Sequence, residues 1–181
     1  MGFLLFAAAG TFSFSGVVPQ ALAQPSYILT LTGYNAVPGQ TDNTPFVTAS
    51  GAYTNPEVVA ARSQDLGDEL PFGTIVAIEG PANDNNGGCN YNLIADDIGY
   101  RVIADSMNAR LKNRIDILFA RKNRYPLPNG RTMNAASLIG ACPGTTVRVV
   151  GFVDISNPAN LPKSQADLAA IVTKGSFLAL K

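Results

Sequence analysis

Tyr100-Arg101-Val102-Ile103-Ala104-Asp105 and Arg114-Ile115-Asp116-Ile117-Leu118-Phe119 are two apolar runs joined by a polar stretch, residues 106–113. Both are rich in β-branched and aromatic residues and alternate with a period of two, which predicts strands. Alternation sends Ile115, Ile117 and Phe119 to one face of the second run and turns Asp116 to the other. Working outward, the same pattern recurs in Tyr27-Ile28-Leu29-Thr30-Leu31-Thr32-Gly33-Tyr34 and in Thr74-Ile75-Val76-Ala77-Ile78-Glu79-Gly80. It appears once more in Thr145-Thr146-Val147-Arg148-Val149-Val150-Gly151-Phe152. Between these runs lie turn-forming stretches such as Val37-Pro38-Gly39-Gln40 and Leu127-Pro128-Asn129-Gly130. One helix is signalled, where Ser164 caps Gln165-Ala166-Asp167-Leu168 and the apolar residues continue to Val172. Short strands at this spacing predict an all-β fold, a small barrel with a short C-terminal helix.

Composition narrows the chemistry. The 181 residues hold 13 Lys+Arg against 13 Asp+Glu, no His and two Cys; 46% are hydrophobic and 14% charged. Without His there is no Ser–His–Asp triad, no Cys–His pair and no His-ligated zinc. A chain of zero net charge without a basic block is a poor match for a nucleic-acid backbone, so no nucleic-acid partner is expected. The acidic pair Asp96-Asp97 beside Asn83-Asp84-Asn85-Asn86 lacks the ligand spacing of a calcium loop, and neither metal nor cofactor is expected. Arg121-Lys122-Asn123-Arg124 reads as a solvated strand exit. What remains is chemistry by carboxylates, hydroxyls and backbone groups.

Residues 1–23 carry no charge, contain the apolar run Phe3-Leu4-Leu5-Phe6-Ala7-Ala8-Ala9 and end in Ala21-Leu22-Ala23 before Gln24-Pro25. This small-x-small ending predicts an export signal cleaved near Ala23 and a periplasmic or secreted protein. Polar and helix-breaking residues interrupt the run, so no stable membrane anchor is expected. Residues 24–181 then form a single domain, expected to be a monomer. For an exported chain, Cys89 and Cys142 are expected to form a disulfide.

The candidate chemistry sits at Asp105 and Asp116. An Asp bracketed by Ile is partly desolvated, which raises its pKa and suits it to act as a general acid near neutral pH. Asn108, Lys112 and Asn113 would rim a cleft with donors for sugar hydroxyls, and Tyr34 or Tyr91 would stack on sugar rings. The competing reading is structural: an Asp that caps a turn and pairs with Arg110 or Arg114, and tyrosines that belong to core or rim.

The ordered set Pro71-Phe72-Gly73-Thr74, Val102-Ile103-Ala104-Asp105 and Asn113-Arg114-Ile115-Asp116-Ile117 resembles the three-aspartate (3D) domain. That domain is shared by the membrane-bound lytic transglycosylase A family and smaller relatives in cell-wall remodelling. The second aspartate follows the first by eleven residues in both. Thr32-Gly33-Tyr34, Gln40-Thr41-Asp42, Thr44-Pro45-Phe46 and Thr48-Ala49 resemble a single-domain subgroup, so the likeness spans roughly half of the chain. The resemblance implies a six-stranded double-psi β-barrel acting on peptidoglycan glycan strands. It implies cleavage of the β-1,4 bond after N-acetylmuramic acid without water, leaving a 1,6-anhydro ring. Asp116 would be the acid/base, Asp105 would hold its geometry or tune its pKa, and the third aspartate would be Asp65, with Asp68 as the alternative. This chain has Met107 and Asn108 where lytic members usually carry Gly-Gly. A non-catalytic wall-binding module therefore stays open, as does a plain glycan hydrolase drawing a second carboxylate from Asp65 or Asp68.

Overall fold

All five strands expected from alternation form, and a sixth closes them into a barrel. The computed structural model describes residues 24–41, 44–82 and 88–175; the expected export signal lies outside them. In chain order the strands are β1 (Ser26–Tyr34), β2 (Val59–Arg62), β3 (Thr74–Glu79), β4 (Tyr100–Ser106), β5 (Arg114–Leu118), the short hairpin β6 (Arg124–Pro126) and β7 (Thr132–Asn134), and β8 (Cys142–Phe152). Around the barrel the order is β1-β5-β2-β4-β3-β8, and β8 returns to pair with β1. Two pairs are parallel, β1 with β5 and β2 with β4; the remaining pairs are antiparallel. The chain is thus an all-β, six-stranded barrel with a C-terminal helix.

β2 is the strand that alternation did not signal. Its sequence, Val59-Ala60-Ala61-Arg62, follows Val58 as a continuous apolar run, and Val59, Ala60 and Ala61 are all buried. A strand covered on both faces has no polar side to alternate with. Among the described residues three α-helices decorate the barrel: α1 (Tyr91–Ile94), α2 (Ala135–Ile139) and α3 (Gln165–Thr173). α3 starts where expected: the Ser164 side chain accepts from the Asp167 N–H, and the Asp167 side chain accepts from the Ser164 N–H. The short α2 was not expected; Asn134 caps it by accepting from the Ala136 N–H.

Two buried clusters hold the fold. Leu31, Ile103, Ile115, Ile117, Phe119 and Ile139 belong to one, and Val102, Ala104, Leu118, Val150 and Leu168 to the other. Each fully buried aliphatic side chain contributes about 1.5–3 kcal/mol. Cys89 and Cys142 form the expected disulfide, which ties the segment before α1 to the first residue of β8. Arg101 is fully buried in β4 and donates to the carbonyls of Ile98, Asp97 and Pro56, so its guanidinium ties the turn before β4 to the segment before β2. In the Pro71-Phe72-Gly73-Thr74 turn, Gly73 has φ +97, and a Cβ there would lie 2.1 Å from the Val153 carbonyl oxygen. Only glycine fits this close approach.

Candidate active site

Strand register brings four residues into one row. Thr32 on β1 lies opposite Asp116 on β5, Asp116 lies opposite Ala61 on β2, and Ala61 lies opposite Asp105 on β4. Registered partners share a face of the sheet. Neighbouring strands are about 4.8 Å apart, so the two aspartates sit two strands apart, roughly 10 Å between their Cα atoms. Ala61 is the residue of the row that separates them.

The two carboxyls are held differently. Asp105 receives three hydrogen bonds: the Tyr34 hydroxyl donates to Oδ2 at 2.9 Å, and the Ala49 and Ser106 N–H groups donate to Oδ1 at 2.9 Å each. Three donors converging on both oxygens fix Asp105 as an acceptor. Asp116 has one side-chain donor among the described residues, Thr32, whose hydroxyl gives a 2.9 Å bond to Oδ1. Burial raises the Asp116 pKa to about 7, the Thr32 bond opposes the rise, and the nearby Asp105 charge adds to it. Near neutral pH this carboxyl therefore exists in both protonation states. Neither aspartate joins an ion pair: among the described residues the ion pair is Arg148 with Glu79, and the Arg110 Nε donates to Asn108 instead. Arg114 makes no ion pair with Asp116, and its charge offsets only part of the rise in the Asp116 pKa.

Asp105 and Asp116 line a cleft of about 570 Å³, within the ~300–1,000 Å³ range of small-molecule sites. Its walls are mostly neutral and polar: Gln40, Thr41, Thr44, Thr48, Thr54, Gln64, Ser106 and Asn108, with Tyr34, Pro45, Val47, Ala49, Ala61, Met107 and Leu111 between them. No Lys or Arg is among the described lining residues. Met107 is 8% exposed and packs into the second buried cluster, so its bulk is turned largely into the core.

The other sequence candidates divide. Asn108 lines the cleft, where its side-chain oxygen accepts from the backbone N–H of Arg110. Tyr34 also lines it, but its ring is buried and its hydroxyl is engaged by Asp105, so it positions that carboxylate and offers no open face to a sugar. Tyr91 packs against the core and donates to the Ile78 carbonyl, well apart from the cleft lining. Asp65 and Lys112 are exposed and do not line the cleft. Asp65 instead accepts from the N–H of Asn113, whose φ of 53° lies in the left-handed region, and hydrogen bonds hold its pKa low. It braces the loop leading into β5. Neither Asp65 nor Asp68 supplies a second carboxylate to the cleft.

Sequence reasoning missed Thr32, Ala61 and the Ala49 N–H. Thr32 had a signal, being a polar residue within an alternating strand. Ala61 had none, because its strand was not legible, and a backbone donor leaves no trace in residue type. Fold and site together define a small closed β-barrel with an aspartate pair at one polar cleft. No family model and no curated protein matches the chain. Among the described residues no helix is long and apolar enough to cross a membrane, and no cluster of His, Cys, Asp and Glu is arranged to hold a metal ion.

Proposed function

We propose that the protein is an exported peptidoglycan-cleaving enzyme of the lytic transglycosylase type, acting on the β-1,4 bond between N-acetylmuramic acid and N-acetylglucosamine. The observation that carries the reading is the environment of Asp116, a carboxyl on a cleft wall with its pKa raised to about 7 and no basic residue paired to it. In its protonated form Asp116 gives its proton to the glycosidic oxygen as the bond to C1 of the muramic acid breaks. The C6 hydroxyl of that sugar then attacks C1, and the Asp116 carboxylate takes up the hydroxyl proton, which closes the anhydro ring and regenerates the acid. The nucleophile is part of the substrate, so one titrating carboxyl suffices. Asp105, with both oxygens already accepting, keeps the like charge that favours the protonated form of Asp116. A hydrolase would need a second carboxylate to activate water or attack the sugar. Asp65 is committed to Asn113, so hydrolysis is the weaker reading.

One feature favours a second reading, a non-catalytic peptidoglycan-binding module on the same barrel: Met107 and Asn108 stand where lytic members carry two glycines. The test is release of soluble fragments from purified peptidoglycan. Lysis by the wild type, lost in Asp116→Asn while sedimentation with the wall persists, supports the enzyme. Sedimentation of both proteins without fragments supports the module and overturns the enzyme.

A further inference from the structure

We propose that Tyr53 is a stacking platform for a neutral N-acetylhexosamine ring at the mouth of the Asp116 cleft, an inference that rests on the glycan-cleaving reading above. Tyr53 belongs to a tight hairpin in which Val47 and Tyr53 form an antiparallel bridge. The Thr48 N–H donates to the Ala52 carbonyl at 2.8 Å, the Gly51 N–H donates back to Thr48, and Gly51 takes the φ of +83 that the turn requires. The hairpin is anchored on the end of β4, where the Ser50 N–H donates to the Ala104 carbonyl and the Ala49 N–H to Asp105. The loop that carries Tyr53 therefore also holds the carboxylate next to Asp116.

Val47 lines the cleft, and a residue bridged directly across from it shares its face. Tyr53 is 67% exposed, so its ring is presented beside the cleft rather than buried in it. A braced backbone that displays an aromatic ring loses little freedom when the ring meets a ligand. The chemistry of the cleft selects the ligand. Ser106 offers a hydroxyl and Asn108 an amide, no Lys or Arg is among the described lining residues, and two aspartates disfavour an anionic group. An apolar peptide would leave these polar groups without partners. A pyranose ring presents an apolar C–H face to a tyrosine and a rim of hydroxyls to amides, and the neutral hexosamine suits an acidic cleft better than its carboxylate-bearing neighbour.

The experiment titrates the full chain, Tyr53→Ala and Tyr53→Trp with a β-1,4-linked N-acetylglucosamine tetramer, alongside sedimentation with purified peptidoglycan and muropeptide release. The proposal expects Tyr53→Ala to weaken tetramer binding about three- to tenfold, with a rise in KM that exceeds any fall in kcat, and Tyr53→Trp to restore binding. Unfolding temperatures should match, since the side chain is exposed. Wild-type binding by Tyr53→Ala overturns the platform and leaves the Asp116 chemistry standing. Failure of the wild type to bind either tetramer or peptidoglycan overturns both.

Discussion

Replacing Asp116 by Asn should change stability in a way that depends on pH. The native carboxyl has its pKa raised to about 7 from an ordinary 3.8, because burial and the Asp105 charge disfavour its ionised form. Between those two values the folded chain holds a proton that the unfolded chain has released, so folding stability falls as pH rises. Three pH units at about 1.4 kcal/mol each give an upper limit of about 4 kcal/mol. That loss begins near pH 4 and is complete just above pH 7. Asn keeps the acceptor for the Thr32 hydroxyl and has nothing to ionise. The variant should thus match the wild type near pH 4 and exceed it at pH 8 by at most about 8–16 °C in Tm, at roughly 2–4 °C per kcal/mol for a chain of this size. Thermal unfolding of both proteins at half-unit steps from pH 4 to 9 measures the difference. A difference that stays flat across that range would show Asp116 to be an ordinary carboxylate and remove the basis for its role as an acid.

Thr32→Val removes the hydrogen bond that opposes the rise in the Asp116 pKa; the basic limb of the pH–activity profile should move upward by up to about one pH unit, and an unmoved limb would contradict the geometry. Ala61→Leu should push a side chain into the gap between the aspartates and lower wall cleavage at least tenfold, at a stability loss of about 1–3 kcal/mol; activity unchanged in a glycan digestion assay would mean that the substrate does not enter between them. Reduction of the Cys89–Cys142 bond, which closes a loop of 53 residues, should lower stability by about 4 kcal/mol in the chain-entropy view, read as a fall in Tm under reducing agent. No fall would mean that the bond constrains little in the unfolded chain.

The strands that bear the aspartates were legible because each has one polar and one apolar side at some point along its length. β5 shows this best: Ile115 and Ile117 are fully buried while Asp116 reaches the cleft. β2 was illegible for the opposite reason, since Val59-Ala60-Ala61 is buried on both faces. Its absence from the sequence reading hid the central fact of the site, that Ala61 stands between Asp105 and Asp116. Parallel pairing joins residues distant in sequence, Thr32 with Asp116 and Ala61 with Asp105, and local periodicity says nothing about such register. Lys112 and Asn108 lie four residues apart in one polar loop, and composition alone could not tell which would line the cleft. Asp65 was nominated by its place before the Pro71-Phe72-Gly73-Thr74 turn; its service to the strained Asn113 backbone became visible only once the loop was folded.

The central claim, bond cleavage by one aspartate without water, is tested most directly by digesting purified peptidoglycan in oxygen-18 water and weighing the products. The account predicts anhydro-muropeptides that carry no label, each lighter by one water than a hydrolytic product, and their disappearance with Asp116→Asn. Labelled reducing ends would contradict it by showing hydrolysis, and an undigested wall that still retains the protein would contradict it by showing a binding module.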